Sequence, residues 1–487
     1  MLIVFFLSML DSHAQGEANN WYFGLNAGLS FASGSPVAVT NGQLRTGEGC
    51  ATISNSSGQL LFYTDGITVY NRNHNVMVNG TGLMGNSSSS QSATIVPKPG
   101  SNSLYYVFTT EAVAKPNGFR YSIVDMNLDS GNGAVTTDKN ILIYTPTCEK
   151  IAINKHSNNV DFWIVTHGFD NNNFYAHLLT NIGLNTTPVI SSVGFTPTIP
   201  IQSPFNRDAT MGCMKIAPDG SKLAIAHSND SWNTNGVLQL FNFNNSTGIL
   251  TNPITLIQGS FDSYGVEFSP NSRVLYFTNF SKLKQFDLTT SNIPSSVLIY
   301  DFVLPEAGAM QLGPDNKIYL SVIGQNKLGV IKNPDILGSG CNFIINEVDL
   351  AGKFSQIGLP SFNQSFFFTP SIQLNNVCVN QNTAFQFNTN QTVISATWDF
   401  GDGSPIVNTL NPEHTYDQVG TFTVTLTVEY DYGCTYQITQ DFGKGSKGYE
   451  YFDVEDDSTV VLFPVEIDSD VREVTVPLDV LVRLRAE

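Results

Sequence analysis

Histidines and cysteines are few in this chain and mostly far apart. Among the carboxylates, Asp399 and Asp402 share a single Asp-Gly-rich turn. Two such carboxylates, helped by backbone carbonyls, can hold Ca2+. The commoner work of Asp in a turn is to accept hydrogen bonds from backbone amides. A twelve-residue calcium loop between helices is absent. A second group shares a position in a pattern. Thr64-Asp65, Thr109-Thr110-Glu111, Thr166-His167, His227 and Thr278-Asn279 each close an apolar run. If those runs are equivalent strands, their ends collect hydroxyl, amide, carboxylate and imidazole groups on one rim. Asp65, Asn73, His74, Glu111, His167, His227 and Asn279 are therefore the candidate ligand-binding residues, for a sugar or a peptide. The competing role is strand-end capping. His74, His156, His167, His177 and His227 could make a metal site only if the fold gathers them.

Much chemistry is excluded. The chain has no Gly-x-Ser-x-Gly elbow, no phosphate loop and no His-Glu-x-x-His pair. Cys50, Cys148, Cys213, Cys341, Cys378 and Cys434 form no Cys-x-x-Cys, so a zinc cluster is not expected. The Asp219-Gly220 and Asp315-Asn316 turns could belong to a glycan-processing ring, but the Ser-x-Asp-x-Gly-x-Thr-Trp pattern of sialidases never occurs. Catalytic residues are thus not identified, and no cofactor is expected beyond Ca2+ at Asp399 and Asp402. With a net charge of −18, the chain repels phosphate backbones, which argues against nucleic acid as a partner.

The elements that must position these residues are strands. Of the 487 residues, 41% are hydrophobic and only 13% charged, with 33 Phe and 18 Tyr to bury. Apolar runs of four to six residues alternate with clusters of Gly, Asn, Asp, Ser and Pro. Between about Trp21 and Phe368 a unit repeats: a strand, a tight polar turn, then an aromatic-rich strand. Cys50-Ala51-Thr52-Ile53-Ser54 turns into Leu60-Leu61-Phe62-Tyr63-Thr64. Met214-Lys215-Ile216-Ala217 turns through Pro218-Asp219-Gly220, and Val266-Glu267-Phe268-Ser269 through Pro270-Asn271-Ser272. The turns recur every ~43 to ~62 residues, close to the period of propeller blades. Blades packed radially cover one another's faces, and ring closure protects their edges. Trp21-Tyr22-Phe23-Gly24 lacks a first strand and Phe362 to Phe368 lacks a second, so the two are expected to share a blade. Seven blades follow, with six or eight as alternatives.

Trp398-Asp399-Phe400-Gly401-Asp402-Gly403-Ser404, His414-Thr415-Tyr416 and the alternating Gly420 to Val428 resemble the PKD (polycystic-kidney-disease-type) domain, an immunoglobulin-like sandwich. Cys378 and Cys434 lie near its two ends and are the expected disulfide. Trp21-Tyr22-Phe23-Gly24, Glu48-Gly49-Cys50-Ala51-Thr52-Ile53-Ser54, Leu61-Phe62-Tyr63-Thr64-Asp65-Gly66 and Asn71-Arg72-Asn73-His74 are similar to secreted surface proteins of gliding Bacteroidota. That resemblance implies a propeller-like region followed by PKD modules, and a C-terminal sorting domain for type IX secretion. The last 45 or so residues lack the Asn-Gly-Asp-Gly turn of such a domain.

The expected organisation is all-β. Residues 1–14 form a signal peptide, with an apolar Leu2 to Leu10 and a Ser12-His13-Ala14 cleavage site. A β-propeller of about seven blades spans 15–370, an immunoglobulin-like PKD β-sandwich 375–442, and a linker with a short β-rich acidic tail 443–487. The expected role is a secreted or cell-surface binding or adhesion protein, without enzymatic activity, whose partner is an extracellular glycan or a surface protein. The alternatives are an extracellular enzyme on polysaccharide or peptide, sited in the ring centre, and a purely mechanical adhesin component.

Overall fold

The computed structural model describes residues 16–444 except 159, 199–207, 229–235, 261–262, 280, 301–305, 369–370, 375, 377, 390–392 and 431–434, together with two short strands in the tail. The signal-peptide-like run, Cys434 and nearly all of the acidic tail lie outside the described residues. The chain divides into two compact units, Met1–Thr369 and Pro370–Glu487. Among the described residues the helical elements are all short 3-10 turns, and the rest of the regular structure is strand.

In the first unit each repeat folds as an antiparallel meander in sequence order. Thr147–Lys155, Phe162–Gly168, Asn173–Leu179 and Val189–Ser192 form one four-stranded sheet. Met214–Ile216 to Ile249–Ser260, Val266–Phe268 to Leu298–Tyr300 and Ala307–Leu312 to Phe343–Asp349 form three more. The sheets beginning at Ala51–Ser54 and Ala93–Pro97 are joined where Val78 pairs with Ala134 in parallel. Asn20–Phe23 opens a three-stranded sheet. The tight turns between first and second strands use the Gly, Asn and Asp residues the pattern supplies. Gly58, Gly220, Ser272 and Asn316 all take positive φ there.

The first strands are linked edge to edge around a ring. Gly49 N donates to Ser89 O at 2.9 Å, and Gln91 N to Glu149 O at 3.0 Å. The Gln91 side chain staples the next two, reaching Ile151 O at 3.0 Å and accepting from Met214 N at 2.9 Å. Cys213 N donates to Tyr264 O at 2.8 Å, and Thr278 Oγ1 to Gly308 O at 2.9 Å. Ala309 N then reaches Ile357 O at 2.8 Å, and Ile357 N reaches Gly47 O at 3.0 Å, which closes the circle. This is the β-propeller architecture.

Closure differs in detail from expectation. Phe362 to Phe368 is not a strand: Gln364–Phe367 is a 3-10 turn. The extended segment 354–361 takes the inner place instead, bridging Leu25 through Phe354 and Cys50 through Pro360. Pro360 has no N–H to continue a ladder. The approach is close enough to need glycine, since a Cβ on Gly358 would lie 2.0 Å from Glu48 O. Aromatic packing locks the junction. The Trp21 ring meets Tyr319 edge-on at 5.4 Å and tilts against Phe362 at 5.8 Å.

The second unit is a sandwich of two three-stranded sheets. One holds Ser371–Leu374, Asn382–Asn388 and Glu413–Thr415; the other holds Val393–Asp399, Gly420–Tyr430 and Thr435–Lys444. Val424, Leu426 and Val428 are buried while Thr423, Thr425 and Thr427 are not, as the alternation requires. They pack with Trp398, Phe400, Phe385 and Tyr416. Gly443 and Lys444, expected to begin a linker, complete the last strand opposite Thr421 and Gly420.

Candidate functional site

Charged side chains lie where the first strands converge. Glu149 is fully buried, and its carboxylate accepts four hydrogen bonds. Val113 N at 2.6 Å and Thr210 Oγ1 at 3.3 Å reach Oε1; Ser90 N at 2.9 Å and Ser90 Oγ at 3.0 Å reach Oε2. Glu48 accepts from Tyr264 OH at 2.8 Å and from Ser88 Oγ at 3.3 Å. Burial, and then the charge of Glu149, push the Glu48 carboxyl up to about 7. Burial likewise raises Glu149, against the pull of its amide donors. Beside them Lys150 is fully buried, and its Nζ donates to the carbonyls of Thr210 and Met211. Burial lowers its pKa.

A second node follows. Lys215 Nζ lies 3.0 Å from Glu267 Oε2 and also donates to Gln311 Oε1. Glu267 accepts from Phe268 N at 3.0 Å and Leu312 N at 3.1 Å. Burial raises the Glu267 carboxyl, and Lys215 opposes it. Lys215, Glu267 and Gln311 hold the same place in three successive repeats, the residue before the last apolar position of the first strand. Thr52 and Thr94 hold it in two others. That register was the available signal. A single charge inside a short apolar run carries no weight until the repeats are aligned.

Asp65, Glu111, His167, His227 and Asn279 all stand at the ends of second strands, while Asn73 and His74 lie between the third and fourth strands of their sheet. His167 and His227 do meet, with ring centroids 5.1 Å apart, both buried. Glu111 accepts from Asn86 Nδ2 at 2.7 Å and Ala112 N at 3.0 Å, at the start of the turn whose Val113 N holds Glu149. Asp65 caps its own turn, accepting from Ile67 N and Thr68 N at 2.9 and 2.8 Å. Asn73 Nδ2 reaches Asn132 Oδ1 at 2.8 Å. His74, with φ +62°, contacts Asn41 Nδ2 at 2.7 Å and Tyr63 OH at 3.1 Å. Asn279 Oδ1 accepts from Lys282 N at 3.0 Å. Most of these groups therefore perform local capping.

On the sandwich, Asp399 Oδ1 accepts from Gly401 N at 3.0 Å, and Asp402 Oδ1 from Ser404 N at 3.0 Å. His414 Nε2 donates to Asp402 Oδ2 at 2.7 Å. The two carboxylates are thus engaged separately, and among the described residues no group of three or more His, Cys, Asp or Glu could hold a metal. Cys378 is a free thiol, its expected partner Cys434 lying outside the described residues. Burial pushes the thiols of Cys148 and Cys213 up to about 12, which leaves them poor nucleophiles. No helix among the described residues is long and apolar enough to cross a membrane.

Residues 369–442 match the PKD domain family. The PKD1 domain of Vibrio anguillarum Epp is 23% identical, with a TM-score of 0.15, over 16% of this chain and 93% of its own. A protein from Lactobacillus plantarum is 11% identical, with a TM-score of 0.42, over 70% of this chain and 98% of its own. Virginiamycin B lyase from Staphylococcus aureus is 11% identical, with a TM-score of 0.35, over 77% and 93%.

Proposed function

We propose that the chain is an exported, cell-surface or secreted binding protein without catalytic activity. Its ring is a rigid frame of seven blades, six opened by first strands and the seventh by the segment 354–361. The observation that carries this reading is how the central charges are used. Glu149, Lys150, Lys215 and Glu267 are each engaged by protein donors or acceptors, as groups that hold strands together are. Partner binding then falls to the loops, which a rigid ring can vary freely. The PKD-type sandwich, over 375–442, serves as spacer or second contact. The partner is an extracellular glycan or a surface protein, and residues 1–14 are removed on export. The similarity to surface proteins of gliding Bacteroidota supports type IX secretion as the route.

One observation favours a second reading. Glu48 is a carboxyl raised to about 7 beside another carboxylate, the kind of group that transfers protons near neutral pH. In that case the ring centre would act on polysaccharide or peptide. A glycan array, run beside a depolymerisation assay, separates the two. Saturable binding with the glycan left intact supports a binding protein. Chain shortening that disappears in Glu48→Gln supports the enzyme. Indifference to every soluble sugar leaves a surface-protein partner or the mechanical adhesin component.

A further inference from the structure

The segment that closes the ring also builds a surface slot. Leu25 bridges Arg45 on one side and Phe354 on the other, both in antiparallel register. Residues paired in this way carry their side chains on the same face, so the three stand in a row. Leu25 N donates to Phe354 O at 2.9 Å, Asn26 N to Leu44 O at 2.8 Å and Thr46 N to Gly24 O at 3.0 Å, which fixes the register on both sides. Gly24 and Asn26 flank Leu25 with φ of +54° and +60°, and a Cβ on Gly24 would lie 2.5 Å from Phe354 O. At strand spacing the Arg45 and Phe354 backbones are roughly 10 Å apart, with half-buried Leu25 as the floor between them. Among the described residues Phe354 is the one aromatic side chain left exposed, at 44%. Arg45 is exposed too; its Nη1 donates to Asn26 Oδ1 at 3.3 Å, and it joins none of the ion pairs among the described residues. In a chain with 41 Asp and Glu against 23 Lys and Arg, a guanidinium without a carboxylate is open to an external anion.

We propose that Arg45, Leu25 and Phe354 bind a uronate residue of an acidic polysaccharide, which names the glycan class within the binding-protein reading and rests on it. The apolar C–H face of a sugar ring packs on the exposed aromatic face, as apolar surface with a polar edge does in ligand sites. The planar guanidinium donates two parallel N–H bonds to the carboxylate on that sugar's edge. A uronate meets both walls at once. A neutral sugar meets only the aromatic one, and an acidic peptide side chain, which has no flat apolar face, meets only the arginine. Because the walls come from the two ends of the ring and are held by its closure, little ordering is left for the ligand to supply.

Calorimetric titration of the full chain with hexamers of galacturonate and of mannuronate, beside the same hexamers with their carboxyls reduced to the neutral sugar, tests it. At least one uronate should bind, and its reduced form should bind on the order of tenfold or more weaker, the scale of a charge-assisted hydrogen bond. Arg45→Gln should bring the uronate down to the level of the reduced form and leave the reduced form unchanged. Phe354→Ala should weaken both about tenfold. Both side chains are exposed, so neither variant removes core. Ile182→Ala, at a residue of a different repeat that is 91% exposed, should bind as the parent does. Uronate binding that the Arg45 and Phe354 variants leave intact overturns the slot but keeps a glycan-binding ring. Equal affinity for the hexamers and their reduced forms overturns the uronate. Binding of no hexamer overturns the slot as a glycan site and assigns the exposed ring of Phe354 to a protein contact.

Discussion

At the hub of the ring, Glu48, Glu149 and Glu267 are buried, and burial raises all three carboxyls. On the sandwich, Asp402 sits in a surface turn where Ser404 and His414 outweigh its modest burial and hold its carboxyl below the usual range. Both regions use carboxylates to join segments distant in sequence. The hub does so without water, where each charge is costly unless matched; the turn does so beside water, where the match adds little. The same residue type should therefore respond in size and in pH sign according to its place.

The largest contrast should come from breaking the Lys215–Glu267 pair. Lys215→Met leaves Glu267 buried and uncompensated, which costs about 3–5 kcal/mol. Urea denaturation of the full chain should show that loss in the ring. The double variant Lys215→Met/Glu267→Leu should recover most of it, because replacing a whole buried pair by apolar groups is often neutral. A double variant as unstable as the single one would mean that the pair itself, rather than the orphaned charge, holds the strands.

Gly358→Ala comes next. Its Cβ would press on Glu48 O, and backbone cannot yield as a side-chain tip can. A loss of about 1–3 kcal/mol is expected, the scale of overpacking. Gly403→Ala on the sandwich meets no atom within 4 Å, and only its positive φ of 81° resists the change, so its loss should be smaller. Equal losses would place the ring closure elsewhere than at 354–361.

The two regions also differ in how far the sequence discloses them. The sandwich is readable because its core alternates locally: Val424, Leu426 and Val428 sit on one side of one strand. The strand-turn-strand units of the ring are readable for the same reason. Its hub is not, because closure brings together residues far apart in the chain. Tyr264 and Glu48 are separated by 216 positions, and Gln91 and Met214 by 123. His167 and His227 could be named as strand-end residues, but their meeting depends on neighbouring sheets. Asp65 and Asn279 carry the same strand-end signature, and their carboxylate and amide turn back on their own loops.

Titration should then separate the regions by sign. The folded ring holds the Glu48 proton more tightly than the unfolded chain does. Its stability is full below the ordinary carboxyl range and falls as pH rises toward about 7. The slope is at most about 1.4 kcal/mol per pH unit for one such group. Glu48→Gln should flatten that part of the profile, measured as denaturation midpoints from pH 4 to pH 8. An unchanged slope would assign the dependence to Glu149 or Glu267.

The smallest effect belongs to Asp402, and its sign is opposite. Its carboxyl is held low in the folded sandwich, so its contribution is present above the ordinary carboxyl range and disappears as pH falls through the lowered value. Asp402→Asn should cost about 0.2–1 kcal/mol near pH 7, as partly exposed pairs do. The cost should shrink toward zero in acid, where the parent side chain is itself protonated. His414 should remain in place, because its ring stacks on Phe400 at 4.1 Å with an interplanar angle of 2° whatever Asp402 carries. A midpoint difference between parent and variant that stays constant from pH 7 down to pH 3 would mean that the charge of Asp402 contributes nothing, and the ionic half of the comparison would fail.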